Sequence, residues 1–291
     1  MSVLFLGMGY SAWATHTELR QADGQLDFAA TARSEEAVRR LEQAEIEPHW
    51  FDGQTPGPSL PGALSRSRQI ISSIAPTASG DPVLTRHRGD FAMAEELEWM
   101  CYYSTVGVYG DAGGDWVDEG VVPDPVNERS QWRIEAEDKW RALADERRVP
   151  LLVLRLAGIY GPQRSSFDKL RRGTAKRIIK PAQVFNRIHV ADIARVTALA
   201  AERRLAGTLN LADDEPAPPQ DVVTHAAQLL DIAPPPEVAF EEADMSPMAR
   251  SFYADNKRVS NAAIKSALGI ELLFPTYREG LEAIRREETL Q

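Results

Sequence analysis

The sequence predicts an α/β fold in which helices cover both faces of a mostly parallel sheet. Through the first 160 residues, short and nearly continuous apolar runs alternate with helix-length amphipathic segments. Such runs are typical of strands buried on both faces, and their alternation with helices is typical of parallel strands joined by crossover connections. Six strands are predicted, at 3–7, 26–32, 47–52, 69–75, 97–104 and 150–158. Together they indicate a doubly wound, Rossmann-type sheet.

Helical patterns separate several of these strands and continue to the end of the chain. They lie at about 11–22, 34–43, 81–97, 128–146, 165–172, 190–204, 219–231, 255–268 and 276–287. Pro-rich connections such as EPAPPQ and APPPE separate the later helices. We therefore expect a dinucleotide-binding domain over 1–160, with a returning segment at about 183–212. A smaller, mostly helical lobe over 161–291 is then the natural place for a substrate.

Composition indicates a soluble globular protein. The 291 residues are 43% hydrophobic and 26% charged, and the net charge is −10. That charge disfavours binding to nucleic acid or to an anionic membrane surface. The single cysteine, Cys101, lies in the apolar run WMCYYS, so we interpret it as a core residue of a protein from a reducing compartment. We expect a cytoplasmic monomer or homodimer that binds a small molecule. No motif with metal-ligand spacing is present, so no metal is expected.

A glycine motif follows the first predicted strand directly. In the segment GMGYSA, Gly7, Gly9 and Ala12 have the spacing G-x-G-x-x-G/A, and Tyr10 and Ser11 lie between them. The first glycine permits a tight turn, the second lets the backbone approach a pyrophosphate, and alanine allows the helix to pack closely on the strand. The helix N-terminus supplies amide donors to the phosphates. These five residues therefore predict a dinucleotide site, and the alternative is a plain strand-to-helix turn.

The end of the second strand bears on the choice of cofactor. An acidic residue there would bind the ribose hydroxyls of NAD, but the sequence is TARS. Arg33 suits the 2′-phosphate of NADP, with Ser34 beside it, so the sequence favours NADP and NAD is the alternative. Ser34 also fits a helix N-cap beside a solvated arginine. Asp52, after the third strand, suits either the adenine amino group or a turn. Ser73 and Ala75, at the end of the fourth strand, complete the predicted cofactor site.

Four later segments carry a resemblance to a known family. They are YSTVGVYGD (103–111), LRLAGIYGP (154–162), FNRIHVADIA (185–194) and NKRVSNAAIKSALG (256–269). In this order they resemble the extended short-chain dehydrogenases/reductases, the NAD-dependent epimerase/dehydratase group, and the similarity covers nearly the whole chain. The resemblance matches Thr105 to the family's Ser/Thr, which hydrogen-bonds a substrate carbonyl or hydroxyl. The alternative is that Thr105 satisfies local backbone groups.

The family's proton relay is absent from the helix that carries it in the family, and we interpret the Tyr-x-x-x-Lys of Tyr253 and Lys257, in the C-terminal lobe, as coincidence. That relay is Tyr-x-x-x-Lys, in which the lysine lowers the pKa of the tyrosine from about 10. Aligning IEAE (134–137) with the family's helix places Arg129 at the tyrosine position and Arg133 at the lysine position. Arginine does not release its proton, since its pKa exceeds about 12. The departure resembles the YeeZ-like atypical branch, and Tyr109 or Tyr160 is an alternative acid.

The two arginines leave the function open between two classes. Arg129 and Arg133 are four residues apart near a predicted helix N-terminus, where like charges repel and oppose the macrodipole. Either both face the nucleotide cleft and bind a phosphate or carboxylate, or they belong to a solvated helix surface laced with ion pairs. We expect an NAD(P)-binding oxidoreductase or epimerase with an altered site. Its substrate would be a small sugar or carbonyl metabolite, either neutral or anionic. The alternative is a non-catalytic protein that senses dinucleotide or binds a partner.

Overall fold

A seven-stranded parallel sheet organises the computed structural model, which describes residues 2–290. Its order is β11-β7-β5-β4-β1-β2-β3, and the other strands form three two-stranded sheets. The strands are β1 Ser2–Leu6, β2 Asp27–Ala32, β3 Glu47–Trp50, β4 Gln69–Ser72, β5 Trp99–Thr105, β6 Trp116–Val117, β7 Leu151–Leu156, β8 Gly158–Tyr160, β9 Arg177–Ile179, β10 Arg187–His189, β11 Gly207–Leu211, β12 Glu237–Ala239 and β13 Arg258–Val259.

The sheet has the switch point that a doubly wound fold requires. Strand β1 pairs in parallel with β2 on one side and with β4 on the other. The chain builds outward from β1 to β3 and then returns to the other side of β1, so the strand order reverses there. Ligands of such sheets bind beyond the carboxyl ends of the strands at this reversal. The predicted α/β fold with a Rossmann-type parallel sheet is therefore confirmed.

Eleven α-helices are found in the described residues, and short 3₁₀ helices follow α4 and β5. The α-helices are α1 Tyr10–Ala22, α2 Glu35–Gln43, α3 Leu60–Arg66, α4 Pro82–His87, α5 Glu128–Arg147, α6 Ser166–Arg171, α7 Val190–Glu202, α8 Pro219–Leu229, α9 Pro247–Ser251, α10 Ala262–Leu268 and α11 Tyr277–Leu290. Asn127 fixes the start of α5, because its side chain accepts a hydrogen bond from the Ser130 amide at 3.0 Å. The arginine-bearing helix therefore begins where the sequence predicted.

Two predicted helices differ from the structure, and one strand of the large sheet was missed. The helix predicted over 81–97 ends at His87 and continues as the 3₁₀ helix Arg88–Met93, which contains Gly89. The helix predicted over 255–268 begins only at Ala262, because residues 258–259 form β13 and pair with β6. The seventh sheet strand, β11, was not predicted. Its sequence GTLNL is short and mixes polar with apolar residues, so it lacks the continuous apolar run of a buried strand.

The chain forms two compact units. The first contains residues up to 108 together with 127–155 and 193–209, and the second contains 109–126, 156–192 and the residues from 210 onward. In the core of the first unit Tyr102 of β5 stacks on Trp140 of α5, with ring centroids 5.9 Å apart. In the second unit, Phe167, Tyr277 and other buried apolar residues of α6, α8 and α11 form a separate core. No helix within residues 2–290 is long and apolar enough to cross a membrane.

Candidate functional site

The glycine loop after β1 has the geometry of a phosphate cradle. Gly7 has φ +92°, and a Cβ there would lie 2.9 Å from side-chain atoms of Ile74 and Ser73. Gly9 has φ −88° and precedes α1, and a Cβ there would meet nothing within 4 Å. No side chain caps α1, and its first turn holds no acidic residue. The loop therefore leaves open space and amide donors beside Gly9, which fits the pyrophosphate of a dinucleotide.

Neighbouring strand ends hold this loop in place. The Gly7 amide donates to Thr31 Oγ1 at 2.7 Å, and the Ser73 hydroxyl donates to the Gly7 carbonyl oxygen at 2.9 Å. Thr31 lies within β2, one residue before its end. Ser73, which the sequence predicted as a cofactor residue, therefore also positions the loop. Of the other predicted cofactor residues, Ala75 is exposed, Tyr10 is half-buried, and Ser11 and Ala12 are buried.

The residues after β2 and β3 differ in whether their side chains already form hydrogen bonds within the protein. Arg33 is exposed and makes no hydrogen bond or ion pair with any of residues 2–290. The Ser34 hydroxyl caps α2 by accepting from the Ala37 amide at 3.2 Å. Asp52 is exposed, and its Oδ1 accepts from the amides of Gln54 and Thr55 at 2.7 and 2.9 Å. These hydrogen bonds lower the pKa of Asp52, and they commit its carboxylate to stabilising a turn. Arg33 is therefore the residue of this group that is available to a ligand.

Two hydroxyl groups converge where β5 ends. Thr105 Oγ1 accepts a hydrogen bond from the Gly107 amide at 3.1 Å, which is the local backbone contact that the sequence left as an alternative. Ser130 Oγ and Thr105 Oγ1 lie 3.1 and 3.3 Å from the position that a Cβ of residue 107 would occupy. Ser130 is buried in the first turn of α5 and was missed by the sequence analysis. Its spacing from Arg133 and Glu137, three and seven residues, places all three on one helix face and was the available signal.

Arg133 lies against the end of the same strand, and Arg129 does not. Arg133 is half-buried, and its Nη1 donates to the Tyr102 hydroxyl at 3.0 Å and to the Tyr103 carbonyl oxygen at 2.8 Å. Both hydrogen bonds use Nη1, and Arg133 forms no ion pair with any described residue. Burial raises the pKa of Tyr102 above its ordinary value, so this partner stays uncharged. Arg129 is exposed and makes no polar contact within residues 2–290.

A buried ion-pair network fixes α5 to the sheet. Glu137 is fully buried and accepts from Arg155 at 2.8 and 3.1 Å, from Arg141 at 2.8 Å and from the Ser104 hydroxyl at 2.5 Å. Burial opposes the negative charge, but the arginines and Ser104 together hold the pKa of Glu137 below its ordinary value. The alternative of a solvated helix surface laced with ion pairs would include a pair between Glu137 and Arg141, which are four residues apart. The pair exists, but Glu137 is buried and does not pair with Arg133.

Neither alternative tyrosine is arranged as a proton relay. The Tyr109 hydroxyl is buried and donates to Asn210 Oδ1 at 2.8 Å. Tyr160 is buried against Gly280, where a Cβ would lie 2.0 Å from the tyrosine oxygen. Burial raises the pKa of Tyr160, whereas a relay needs a phenol whose pKa is lowered toward the working pH. Both tyrosines are therefore better explained by packing in the second unit.

Comparisons with known proteins agree with this fold. No family model matches the chain. A curated relative, the 3-diazoavenalumate denitrifying reductase of a Streptomyces species, is 30% identical over 143 residues, and the match covers 45% of each protein, so it spans about half the length of that relative. A functionally unknown conserved protein from Silicibacter pomeroyi DSS is 42% identical, with 99% of each chain covered and a TM-score of 0.88.

Two solved enzymes share the fold at low identity. The dTDP-glucose 4,6-dehydratase of Bacillus anthracis, solved in complex with NAD, is 15% identical with a TM-score of 0.77, covering 100% of this chain and 97% of that one. The UDP-glucuronic acid 4-epimerase of Bacillus cereus, also solved with NAD, is 15% identical with a TM-score of 0.74, covering 100% and 99%. The chain therefore has the same overall fold as these two NAD-binding enzymes.

Proposed function

We propose that this protein binds NADP and acts as an oxidoreductase on a small carbonyl or sugar metabolite that carries an anionic group. The observation that carries the proposal is the Arg133 guanidinium, held at the carboxyl end of β5 through Nη1 while its other nitrogens have no partner among residues 2–290. An arginine presented in this way suits a carboxylate or phosphate, because its planar fork of donors matches two ligand oxygens. Arg133 therefore binds and orients the substrate.

The dinucleotide is held by the glycine loop and the start of α1. Open space beside Gly9 admits the pyrophosphate, and the α1 amides donate to it. The absence of an acidic residue at the end of β2, together with the exposed Arg33, supports NADP over NAD. When bound, the cofactor supplies or accepts a hydride. The structural neighbours solved with NAD support a nicotinamide dinucleotide in general.

The reacting group of the substrate would meet the hydroxyls at the end of β5. Thr105 accepts from the Gly107 amide, and its own hydroxyl hydrogen remains available to a substrate oxygen. Ser130 offers a second hydroxyl beside Gly107. These hydroxyls can orient a carbonyl, but neither has the acidity of a phenol paired with lysine, so water delivers the proton. The name of the Streptomyces relative, a reductase, supports reduction as the direction.

The proposal is tested by nucleotide binding and by turnover. NADPH and NADH affinities are measured by calorimetry, and NADPH consumption is followed with matched carbonyl and sugar compounds that do or do not carry a carboxylate or phosphate. Consumption with anionic compounds, and tighter binding of NADPH than NADH, are expected. Arg133→Ala should raise KM for these compounds by about ten-fold, the value of one charge-assisted contact. Arg129→Ala is the matched control, since it removes the same charge from the same helix at an exposed position.

A second candidate function is a non-catalytic dinucleotide sensor. The missing Tyr and Lys pair and the packed state of Tyr109 and Tyr160 favour it. Tight binding of NADPH with no consumption across the whole panel would establish the sensor and overturn the oxidoreductase. Failure to bind either nucleotide would overturn both.

A further inference from the structure

A second arginine, in the other unit, has the features of an oxyanion receptor. Arg187 of β10 is only partly exposed, and it forms no ion pair with any of residues 2–290. Its Nη1 donates to the carbonyl oxygens of Phe185 and Ala217 at 2.9 and 3.1 Å, and it makes no other side-chain hydrogen bond in this part of the chain. The anchored nitrogen fixes the guanidinium plane, and Nε and Nη2 remain for a ligand.

A comparison with Arg155 shows that Arg187 lacks a hydrogen-bonded carboxylate partner among the described residues. Arg155 is buried in the first unit, and two of its nitrogens bond the carboxylate of Glu137 at 2.8 and 3.1 Å. Arg187 has no such carboxylate, although burial costs it enough solvation to lower its pKa. A desolvated cation without a bound carboxylate is unfavourable, although the Tyr277 ring lies 6.0 Å from the guanidinium, so an anionic ligand would stabilise it.

Asp213 is the group that controls the charge beside Arg187. Its amide donates to the Arg187 carbonyl oxygen at 2.6 Å, so the two residues are neighbours on β10 and on the segment after β11. Within residues 2–290, its Oδ1 accepts only from the Glu215 amide at 3.3 Å, and its buried Oδ2 has no hydrogen-bond partner. Burial raises the pKa of Asp213 to about 8, against the opposing charge of Arg187. Near neutral pH, Asp213 is therefore mostly protonated and leaves Arg187 without a counter-charge.

Several other titratable groups act electrostatically on this pair. The groups whose charge acts on Arg187, on Asp213 or on Tyr160 of β8 are Asp192, Asp214, Glu215, Glu279, Tyr253 and Tyr277. Burial raises the pKa of each of the three tyrosines, so they stay neutral from pH 7 to 9. Burial lowers the pKa of His189, which packs on Tyr160, to about 4, so it stays neutral as well. Asp213 therefore titrates between pH 7 and 9 beside tyrosines and a histidine that stay neutral.

We propose that Arg187 binds the carboxylate of a small organic acid, and that Asp213 competes with this ligand for Arg187 when it ionises. A monoanion balances the single charge of Arg187, whereas a phosphate dianion would leave an excess of negative charge in the site. The site consists of residues of the second unit alone and requires no dinucleotide, so it stands apart from the proposed oxidoreductase activity. It would give the protein a second ligand, taken up best at neutral and lower pH.

The test follows the arginine side-chain resonances by NMR while phenylacetate is added to the full chain without nucleotide. Phenylacetamide, which lacks the charge, and inorganic phosphate are added in parallel. Phenylacetate should shift the Arg187 resonance in a saturable way at pH 7, phosphate should bind more weakly, and phenylacetamide should have no effect. Arg187→Gln should weaken phenylacetate binding by at least about ten-fold. Arg171→Gln is the matched control, because Arg171 belongs to the same unit but already pairs with Glu288.

Asp213→Asn supplies a measurement that does not depend on removing Arg187. In the wild type, affinity should fall roughly ten-fold from pH 7 to pH 9, as the protonated fraction of Asp213 declines. The asparagine variant should bind at pH 7 like the wild type and should lose this pH dependence. The absence of any phenylacetate-dependent shift, equal effects of phenylacetate and phenylacetamide, or tighter phosphate binding would each overturn the proposal. So would an unchanged pH profile in Asp213→Asn.

Discussion

Glu137 of α5 and Arg155 of β7 form a two-point ion pair in which Oε1 accepts from Nε at 3.1 Å and Oε2 accepts from Nη2 at 2.8 Å. The side chain of Glu137 is 0% exposed and that of Arg155 is 5% exposed. Ser104, directly before Thr105 on β5, donates to the same carboxylate. The pair thus joins α5 to two strands of the sheet and sets where Ser130 and Arg133 lie along β5. Its integrity is a condition for the candidate site.

Replacing Glu137 by Gln should destabilise the protein strongly. The amide keeps the shape of the side chain but removes the buried negative charge that Arg155 binds at two points, which costs about 3–5 kcal/mol. The measurement is urea unfolding of both proteins under identical conditions. Asp138→Asn is the control: Asp138 is adjacent on α5, pairs with Arg141 and is 68% exposed, so its loss should cost less than about 1 kcal/mol. Similar losses for both variants would contradict a structural role for the buried pair.

The same pair should contribute to acid unfolding. Because the folded-state pKa of Glu137 is lowered from the ordinary 4.5, the stabilisation is fully present above that pH. It is lost as the pH falls below 4.5 toward the lower folded-state pKa, since the unfolded chain takes up the proton first. Stability measured against pH should therefore decline more steeply for the wild type than for Glu137→Gln in this range. Parallel curves would mean that Glu137 is not charged in the folded protein.

Substitutions at the two glycines of the loop should have different effects, one on NADPH binding and the other on stability. Gly9→Val places a branched side chain in space that is empty of protein atoms within 4 Å, at an ordinary φ of −88°. It should therefore leave the melting temperature nearly unchanged and abolish most NADPH binding. Gly7→Ala is the contrasting variant, because φ is +92° and the new Cβ would lie 2.9 Å from Ile74 and Ser73, so it should lower stability. A folded Gly9→Val protein with wild-type NADPH affinity would rule out the proposed pyrophosphate position.

The features that the sequence predicted well are set by local physics. The turn at Gly7 and Gly9 depends on the backbone conformation of a few consecutive residues. The apolar runs of β1 and β5 predict buried strands by composition alone. Glu137 could not be predicted in the same way. Its helical spacing to Arg141 fits an exposed pair equally well, and its burial depends on Arg155, 18 residues later, and on Ser104 of another strand.

The arginines illustrate the same limit within the candidate site. Helical spacing predicts the same environment for Arg129 and Arg133, because residues four apart lie on similar sides of a helix. In the structure Arg133 reaches Tyr102 and Tyr103, whereas Arg129 stands one turn earlier and is exposed. What distinguishes them is where β5 ends beside α5, which no local pattern encodes. The role of Arg187 was missed for a related reason, since only tertiary structure places it beside Asp213, a carboxyl group that burial keeps mostly protonated near neutral pH.

Arg33 should decide between the two dinucleotides. If its exposed guanidinium meets the 2′-phosphate, Arg33→Ala should weaken NADPH binding by about 1.5–3 kcal/mol, the value of a hydrogen bond to a charged group. NADH affinity should change little, because NADH lacks that phosphate. Calorimetric titration of both nucleotides measures the difference. Arg39→Ala, an exposed position on α2 that lies near Glu35, controls for the loss of surface charge. Equal losses of affinity for NADPH and NADH would show that Arg33 does not bind the 2′-phosphate.

The last prediction rebuilds the missing proton relay on α5. Arg129 lies one turn before Arg133 on the same side of the helix, so Arg129→Tyr with Arg133→Lys recreates the Tyr-x-x-x-Lys spacing on α5. Lysine would lower the pKa of the new phenol, which could then protonate a reduced carbonyl oxygen. The double variant should gain NADPH consumption with uncharged carbonyl compounds, and the rate should fall as rising pH ionises the tyrosine. At the same time it should lose affinity for anionic compounds, because lysine lacks the bidentate fork.

The two single variants are the controls for this gain, since each supplies only half of the relay. Folding and NADPH affinity are measured first in all three variants, so that a change in rate reports chemistry and not cofactor loss. If the wild type already consumes NADPH with uncharged carbonyl compounds as fast as the double variant, the relay is not missing in any functional sense. If a folded, NADPH-binding double variant gains nothing, the tyrosine and lysine positions on α5 are not where this protein's chemistry is limited.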